Sequence, residues 1–129
     1  MVSNKVVLIV EDEETTGLML DKLFKNLGFE TILCTNGKTA FEILLHEASN
    51  IDLVVTDIVM PDMDGKELLH LVRSHELLHD IPVLIVSGLI DESELKELAF
   101  NYNPEITFYL QKPVNAASVK PLLAQLNLD

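Results

Sequence analysis

"KVVLIVEDEE", residues 5–14, decides how the chain is read. Val6 to Val10 run without a polar break and stop at two acids, Glu11 and Asp12. So short a run suits a strand, and its lack of alternation suits one buried on both faces of a parallel sheet. Four further runs follow: Thr31 to Cys34, Leu53 to Val55, Val83 to Val86 and Ile106 to Leu110. After each run lie apolar residues at helical spacing. Leu20, Leu23, Phe24 and Leu27 form one stripe, closed by Gly28 as a C-terminal stop. Ala40, Ile43 and Leu44 form the next, with Asn36 as a cap. Leu68, Leu69 and Val72 form a third, on a helix starting at Gly65 or Lys66. Leu95, Leu98 and Ala99 make the fourth, and Leu122, Leu123 and Leu126 the fifth. Five successive β-α units predict an open, doubly wound parallel α/β sheet with helices on both faces.

Two segments interrupt the pattern. "NYNPEI", 101–106, is a polar, proline-containing connection before the last strand. Pro121 falls inside the last helical stripe, where it would lose a hydrogen bond and clash with the preceding turn. With Ser118 as the N-cap, Pro121 falls in the first turn at little cost. Regular helix is then expected only from about Val119.

Composition narrows the function classes. A chain of 129 residues suits one domain, taken as 1–129 with its core at about 5–126. The net charge of −12, from 21 acids against 9 Lys and Arg, speaks against nucleic acid and anionic membranes as partners. Cys34, the single cysteine, forms no internal disulfide, which suits a reducing compartment. The N-terminal apolar run is too short for a signal peptide, and no stretch is long enough to span a bilayer. The expected location is cytoplasmic.

Two familiar patterns do not hold up. "HELLH", 75–79, matches the zinc-protease signature H-E-x-x-H. Pro82 follows closely, and the residue before a proline avoids the helical region. His79 is therefore expected in a connection, with no continuous helix to put both His75 and His79 on one face. Leu77 and Leu78 are expected to cover the core edge, and His46 and His70 to lie on the surface. "DMDG", 62–65, resembles part of a calcium loop with Asp62 and Asp64 at ligand positions. Its first position would then be Met60 and its bidentate glutamate position Leu71, so a turn before a helix is the better reading.

Ligands of open α/β sheets bind beyond the carboxyl ends of the strands. Five candidate side chains follow four of the apolar runs there: Glu11 and Asp12, Asp57, Ser87 (next to Gly88) and Lys112 (next to Pro113). Three acids together repel one another, and their pKa values rise unless a cation sits among them. Oxygen-only ligands on loops favour Mg²⁺, which usually shares a phosphate. A carboxylate beside that metal can attack phosphorus, with Lys112 neutralising the phosphoryl charge and Ser87 donating a hydrogen bond. Each residue also has a plainer reading. Glu11 and Asp12 would cap a helix, Asp57 would sit in a turn, Ser87 would end a strand and Lys112 would be a surface charge. Their arrival together at the ends of four strands favours phosphoryl transfer to a protein side chain.

These residues resemble the receiver domain of two-component response regulators, the CheY-like family. "VLIVEDEE" resembles the family's first strand and acidic pair, and "DLVVTDIVMPDMDG" its phosphoacceptor segment. "VLIVSG" and "FYLQKP" resemble its hydroxyl and Lys-Pro signatures. The resemblance implies a flavodoxin-like fold of strand order 2-1-3-4-5, the order given in general accounts of that fold, which include a member of this family. It implies phosphorylation of Asp57 by the phosphohistidine of a sensor histidine kinase or phosphotransfer protein. It implies Mg²⁺ on Glu11, Asp12, Asp57 and the Val59 carbonyl, and phosphoryl contacts from Lys112, Ser87 and Gly88. Ser87 and Tyr109 would be the switch pair, altering the surface of helix 4, strand 5 and helix 5. That surface would meet a downstream target or output domain, or pair two copies as a homodimer.

Such a protein is a phosphoacceptor, not a turnover enzyme. "NYNPEI" departs from the family's Gly-Ala type turn and looks longer. Glu11 stands for a common Asp. Val59 and Leu89 occupy positions that tune hydrolysis and, being apolar, predict slow self-dephosphorylation. The alternatives are a receiver-like binding module independent of phosphorylation and a metal-dependent hydrolase. No output domain is read after "LNLD", which leaves open a free-standing receiver or a piece of a larger kinase or regulator.

Overall fold

The computed structural model describes residues 5–60, 63–88 and 91–129. Its elements alternate along the chain: β1 (Val6–Val10), α1 (Glu14–Asn26), β2 (Glu30–Cys34), α2 (Gly37–Glu47), β3 (Leu53–Thr56), α3 (Gly65–Ser74), β4 (Val83–Ser87), α4 (Glu92–Asn101), β5 (Thr107–Gln111) and α5 (Ala116–Gln125). All strand pairs are parallel, in the order β2-β1-β3-β4-β5. This is the expected doubly wound, flavodoxin-like sheet. No helix among the described residues is long and apolar enough to cross a membrane.

Period-two alternation divides each central strand between two cores. Leu8, Val10, Val54 and Ile85 face α2, α3 and α4 through Ala40, Leu44, Leu68, Leu69, Val72 and Leu95. Val7, Ile9, Val55, Leu84 and Val86 face α1 and α5 through Leu20, Phe24, Val119 and Leu123. Val7 to Val10 are wholly buried, which accounts for the unbroken apolar run in the sequence.

Helix starts follow side-chain caps. Asn36 Oδ1 accepts the Thr39 N–H at 2.8 Å, Asp64 Oδ1 that of Glu67 at 2.9 Å, and Asp91 Oδ1 that of Glu94 at 2.9 Å. After α1, Gly28 takes φ 96°, a left-handed stop that side chains resist. The last helix corrects one expectation. It begins at Ala116 with Asn115 as N-cap, so Pro121 lies in its second turn. Asn115 Oδ1 accepts the Ser118 N–H while Ser118 Oγ accepts the Asn115 N–H. This reciprocal box makes Ser118 the third helical residue, and starting the helix early outweighs the bond lost at Pro121.

"HELLH" is not a helix face. α3 ends at Ser74, and the His75 backbone is extended. His75 Nδ1 accepts the Leu77 N–H, and His79 Nδ1 pairs with Asp80. Leu78 is buried, but Leu77 is exposed. The expectation that both cover the core holds for one only, because neighbouring turn residues point apart. Asp64 caps α3, as a turn before a helix requires, while Asp62 lies outside the described residues.

The "NYNPEI" connection is anchored from α3. The Arg73 guanidinium donates to the carbonyls of Tyr102 (3.0 Å), Ile106 (3.0 Å), Ile81 (2.6 Å) and His79 (3.2 Å), and to Thr107 Oγ1 (2.8 Å). Burial pulls its pKa down to about 10, opposed by the charge of Asp80. Its hydrogen bonds replace the lost hydration.

Candidate functional site

The carboxyl ends of the strands carry the polar residues that the cores exclude. β1 delivers Glu11, almost wholly buried, and then Asp12, exposed. Neither caps α1: the N-cap is Glu13, without a side-chain capping bond. Instead the Glu13 N–H donates back to Glu11 Oε2 at 3.2 Å. β3 delivers Asp57, whose own N–H donates to the Val10 carbonyl and whose Oδ1 accepts the Ile58 N–H at 2.6 Å. The Gly65 N–H donates to the Ile58 carbonyl, and a Cβ on Gly65 would collide with the Asp57 carbonyl oxygen. A side chain is therefore excluded at Gly65 by backbone approach.

β5 delivers Lys112 from the far side of β4, and the Lys112–Pro113 peptide that follows is cis. Its backbone N–H donates to the Ser87 carbonyl at 3.0 Å. Its Nζ reaches both buried acids, 2.8 Å from Glu11 Oε1 and 2.7 Å from Asp57 Oδ2. Burial raises the Glu11 pKa, and the hydrogen bonds from Lys112 and Glu13 offset this only in part. Burial alone would lower the Lys112 pKa, but its bonds to Asp57 and Glu11 outweigh that and raise it. The ammonium therefore stays charged between the acids.

Glu11, Asp12 and Asp57 each bring a carboxylate oxygen within 4.8 Å of the others. Such an all-oxygen set on loops fits a hard divalent cation such as Mg²⁺. With Glu13, Val59, Gly88 and Lys112, these residues line an open cleft of about 360 Å³. Val59 is about half exposed at its mouth. Ser87 is fully buried at the end of β4, and Tyr109 is half-buried beside the core that contains Ile85. The fold thus gathers Glu11, Asp12, Asp57, Val59, Gly88 and Lys112 around one cleft, and the buried Ser87 directly precedes Gly88 in the chain. Tyr109 stands apart on β5, and Leu89 lies outside the described residues. Two contributors were not singled out in the sequence, the N–H groups of Ile58 and Glu13. Backbone donors carry no residue-type signal.

Comparisons with known proteins agree with this geometry. The family model of the response regulator receiver domain matches residues 7–124. Chemotaxis protein CheY of Pseudomonas aeruginosa is 36% identical over 93% of this chain and 87% of its own length. Chemotaxis protein CheY-3 of Vibrio cholerae is 33% identical over 95% of this chain and 92% of its own. Two-component response regulator-like PRR73 of Oryza sativa subsp. indica is 37% identical over 64% of this chain, which spans only 11% of that protein. A CheY-like response regulator receiver domain from Methylobacillus flagellatus superposes with a TM-score of 0.80 at 27% identity, covering 96% of this chain and 99% of the other. With its sheet order, its acid-rich rim and these relatives, the chain belongs to the response regulator receiver domain family.

Proposed function

We propose that Asp57 accepts a phosphoryl group from the phosphohistidine of a sensor histidine kinase or phosphotransfer protein, and that the chain acts as a switch in two-component signalling. The observation that carries this reading is the Lys112 ammonium, shared between Asp57 and Glu11 at 2.7 and 2.8 Å. It sets a positive charge against both buried acids and stands ready for a new anion.

In the transfer, one Asp57 carboxylate oxygen forms a bond to phosphorus as the bond to the donor imidazole nitrogen breaks. The electron pair leaves with the imidazole, and Asp57 becomes an acyl phosphate. Glu11, Asp12, Asp57 and the Val59 carbonyl are the proposed Mg²⁺ ligands. Bound there, Mg²⁺ supplies positive charge against the phosphoryl oxygens. Lys112 Nζ exchanges its bond to Asp57 for one to a phosphoryl oxygen. Ser87 and the Gly88 N–H meet the remaining oxygens.

Moving Ser87 out of its buried place leaves room that Tyr109, half-buried on β5, fills by turning inward. The phosphoryl group thereby stabilises one of two packings of the α4-β5-α5 face. A target, an output domain or a second copy would read that face. A module independent of phosphorylation would have no need of a buried Glu11–Lys112–Asp57 charge cluster.

The test is intact mass after incubation with acetyl phosphate and Mg²⁺. One phosphoryl adduct is expected, absent from Asp57→Asn and from an EDTA control. No adduct with confirmed Mg²⁺ binding would favour the phosphorylation-independent module.

A further inference from the structure

The β2–α2 turn with its two flanking residues, Cys34 and Gly37, carries none of the residues assigned to the reaction, yet these flanks touch both acid-bearing segments. On one side, the Cys34 carbonyl accepts the Glu11 N–H at 3.0 Å. On the other, the Gly37 N–H donates to the Met63 carbonyl at 3.2 Å, in the segment that joins Asp57 and Val59 to α3. Gly37 is the first residue of α2, so its N–H has no partner within the helix. The positive helix terminus adds to its pull on the Met63 carbonyl. The approach leaves no space: a Cβ on Gly37 would collide with the Met63 carbonyl oxygen and press on Met63 Cβ and Cγ at 3.1 Å.

We propose that the β2–α2 turn is a strap setting the distance between the Glu11–Asp12 pair and the Asp57–Val59 segment, with Gly37 as its positioning residue. The inference rests on the proposed Mg²⁺ and phosphoryl chemistry at these acids. Glu11 and Asp12 come from one segment, and Asp57 and Val59 from the other. A divalent cation tolerates little change in the spacing of its oxygens, and Mg²⁺ least of all. Gly37 touches no ligand, so its action would pass through Met63. Linkage adds a reciprocal requirement. If the Gly37–Met63 contact favours cation binding, cation binding must protect that contact.

The experiment has two arms. In the first, Mg²⁺ is titrated calorimetrically into the wild type and Gly37→Ala, alongside thermal unfolding of both in EDTA. Mg²⁺ affinity at least about five-fold weaker is expected, with the metal-free variant still folding cooperatively. The adduct rate from acetyl phosphate should fall even at saturating Mg²⁺, an effect that simple loss of stability would not produce in a folded protein. Wild-type affinity and rate in a folded variant would overturn the strap. The second arm uses only the wild type, so it holds even if the variant fails to fold. Mg²⁺ should slow amide hydrogen exchange at Gly37, as well as at Gly65 and Glu13. Protection at Gly65 and Glu13 but not at Gly37 would overturn the strap while leaving the functional reading intact. A wild type that binds no Mg²⁺ would remove that reading and the strap together.

Discussion

Lys112 and Glu11 are separated by 101 residues in sequence, yet Nζ and Oε1 meet at 2.8 Å, with the glutamate side chain only 1% exposed. The ion pair holds β5 to β1 across the two strands between them. It also sets the charge state of the cleft before any ligand arrives.

Removing the ammonium leaves two buried acids facing each other. Lys112→Ala should destabilise the metal-free protein by about 2 kcal/mol, the loss expected for charge-assisted bonds in a site of this burial. Mg²⁺ should then stabilise the variant more than the wild type, because binding to the native state alone shifts unfolding. Urea unfolding in EDTA and in Mg²⁺ measures both. Equal stability of the two proteins in EDTA would contradict the pairing.

The raised Glu11 pKa has a pH signature. A carboxyl whose folded pKa lies above its unfolded value of 4.5 favours the folded state when protonated. That advantage is full below 4.5, fades as pH rises towards the folded value, and is gone beyond it. Glu11→Gln stays neutral throughout. Its stability relative to wild type, in EDTA, should therefore increase as pH rises through 4.5 and then level off. Paired denaturation curves across that range give the sign directly.

Arg73 makes six hydrogen bonds to five acceptors, the carbonyls of His79 and Ile81 before β4 and those of Tyr102 and Ile106, with Thr107 Oγ1, around the α4–β5 connection. Arg73→Met leaves several carbonyls without a donor and should cost about 3 kcal/mol. Arg73→Lys should recover less than half of that, since an ammonium has three donors and no planar fork. Chemical denaturation of the three proteins ranks them.

Two glycines should differ in their response to alanine. Gly28→Ala forces a side chain onto φ 96° in open space and should cost about 1 kcal/mol. Gly65→Ala drives a Cβ into the Asp57 carbonyl and should cost about 3 kcal/mol, with weaker Mg²⁺ binding. Thermal unfolding with a Mg²⁺ titration separates strain from damage to the site.

Val59, about half exposed at the mouth of the cleft, has no polar atom to orient an attacking water. With Leu89 as the second apolar residue, the acyl phosphate should persist for minutes or longer. Loss of the adduct followed by intact mass measures this, and a lifetime of seconds would refute it. Val59→Asn should shorten it.

The parallel sheet and its helix layers were legible because burial leaves a direct trace, whereas the strand order came only with the family resemblance. Val7 to Val10 had to be apolar on both faces, and Leu20 and Phe24 had to fall on one stripe. The acids and Lys112 were legible because charge at strand ends is conspicuous. The start of α5 was misread because Ser118 suits two cap positions, and only its partner Asn115 decides between them. Leu77 and Leu78 were indistinguishable by residue type, though one is exposed and the other buried. The contacts of Arg73 and Gly37 were hidden because nearly all their partners are carbonyl groups, which every residue carries.

The order in which the site is synthesised follows from the 101-residue gap between Glu11 and Lys112. A ribosome adding about 5–20 residues per second makes Glu11 some ~5–20 s before the lysine that balances it. Throughout that interval the nascent chain carries Glu11, and from near its midpoint Asp57 as well, without their ammonium. Until β5 has been made, it can complete neither the fifth strand nor the charge cluster.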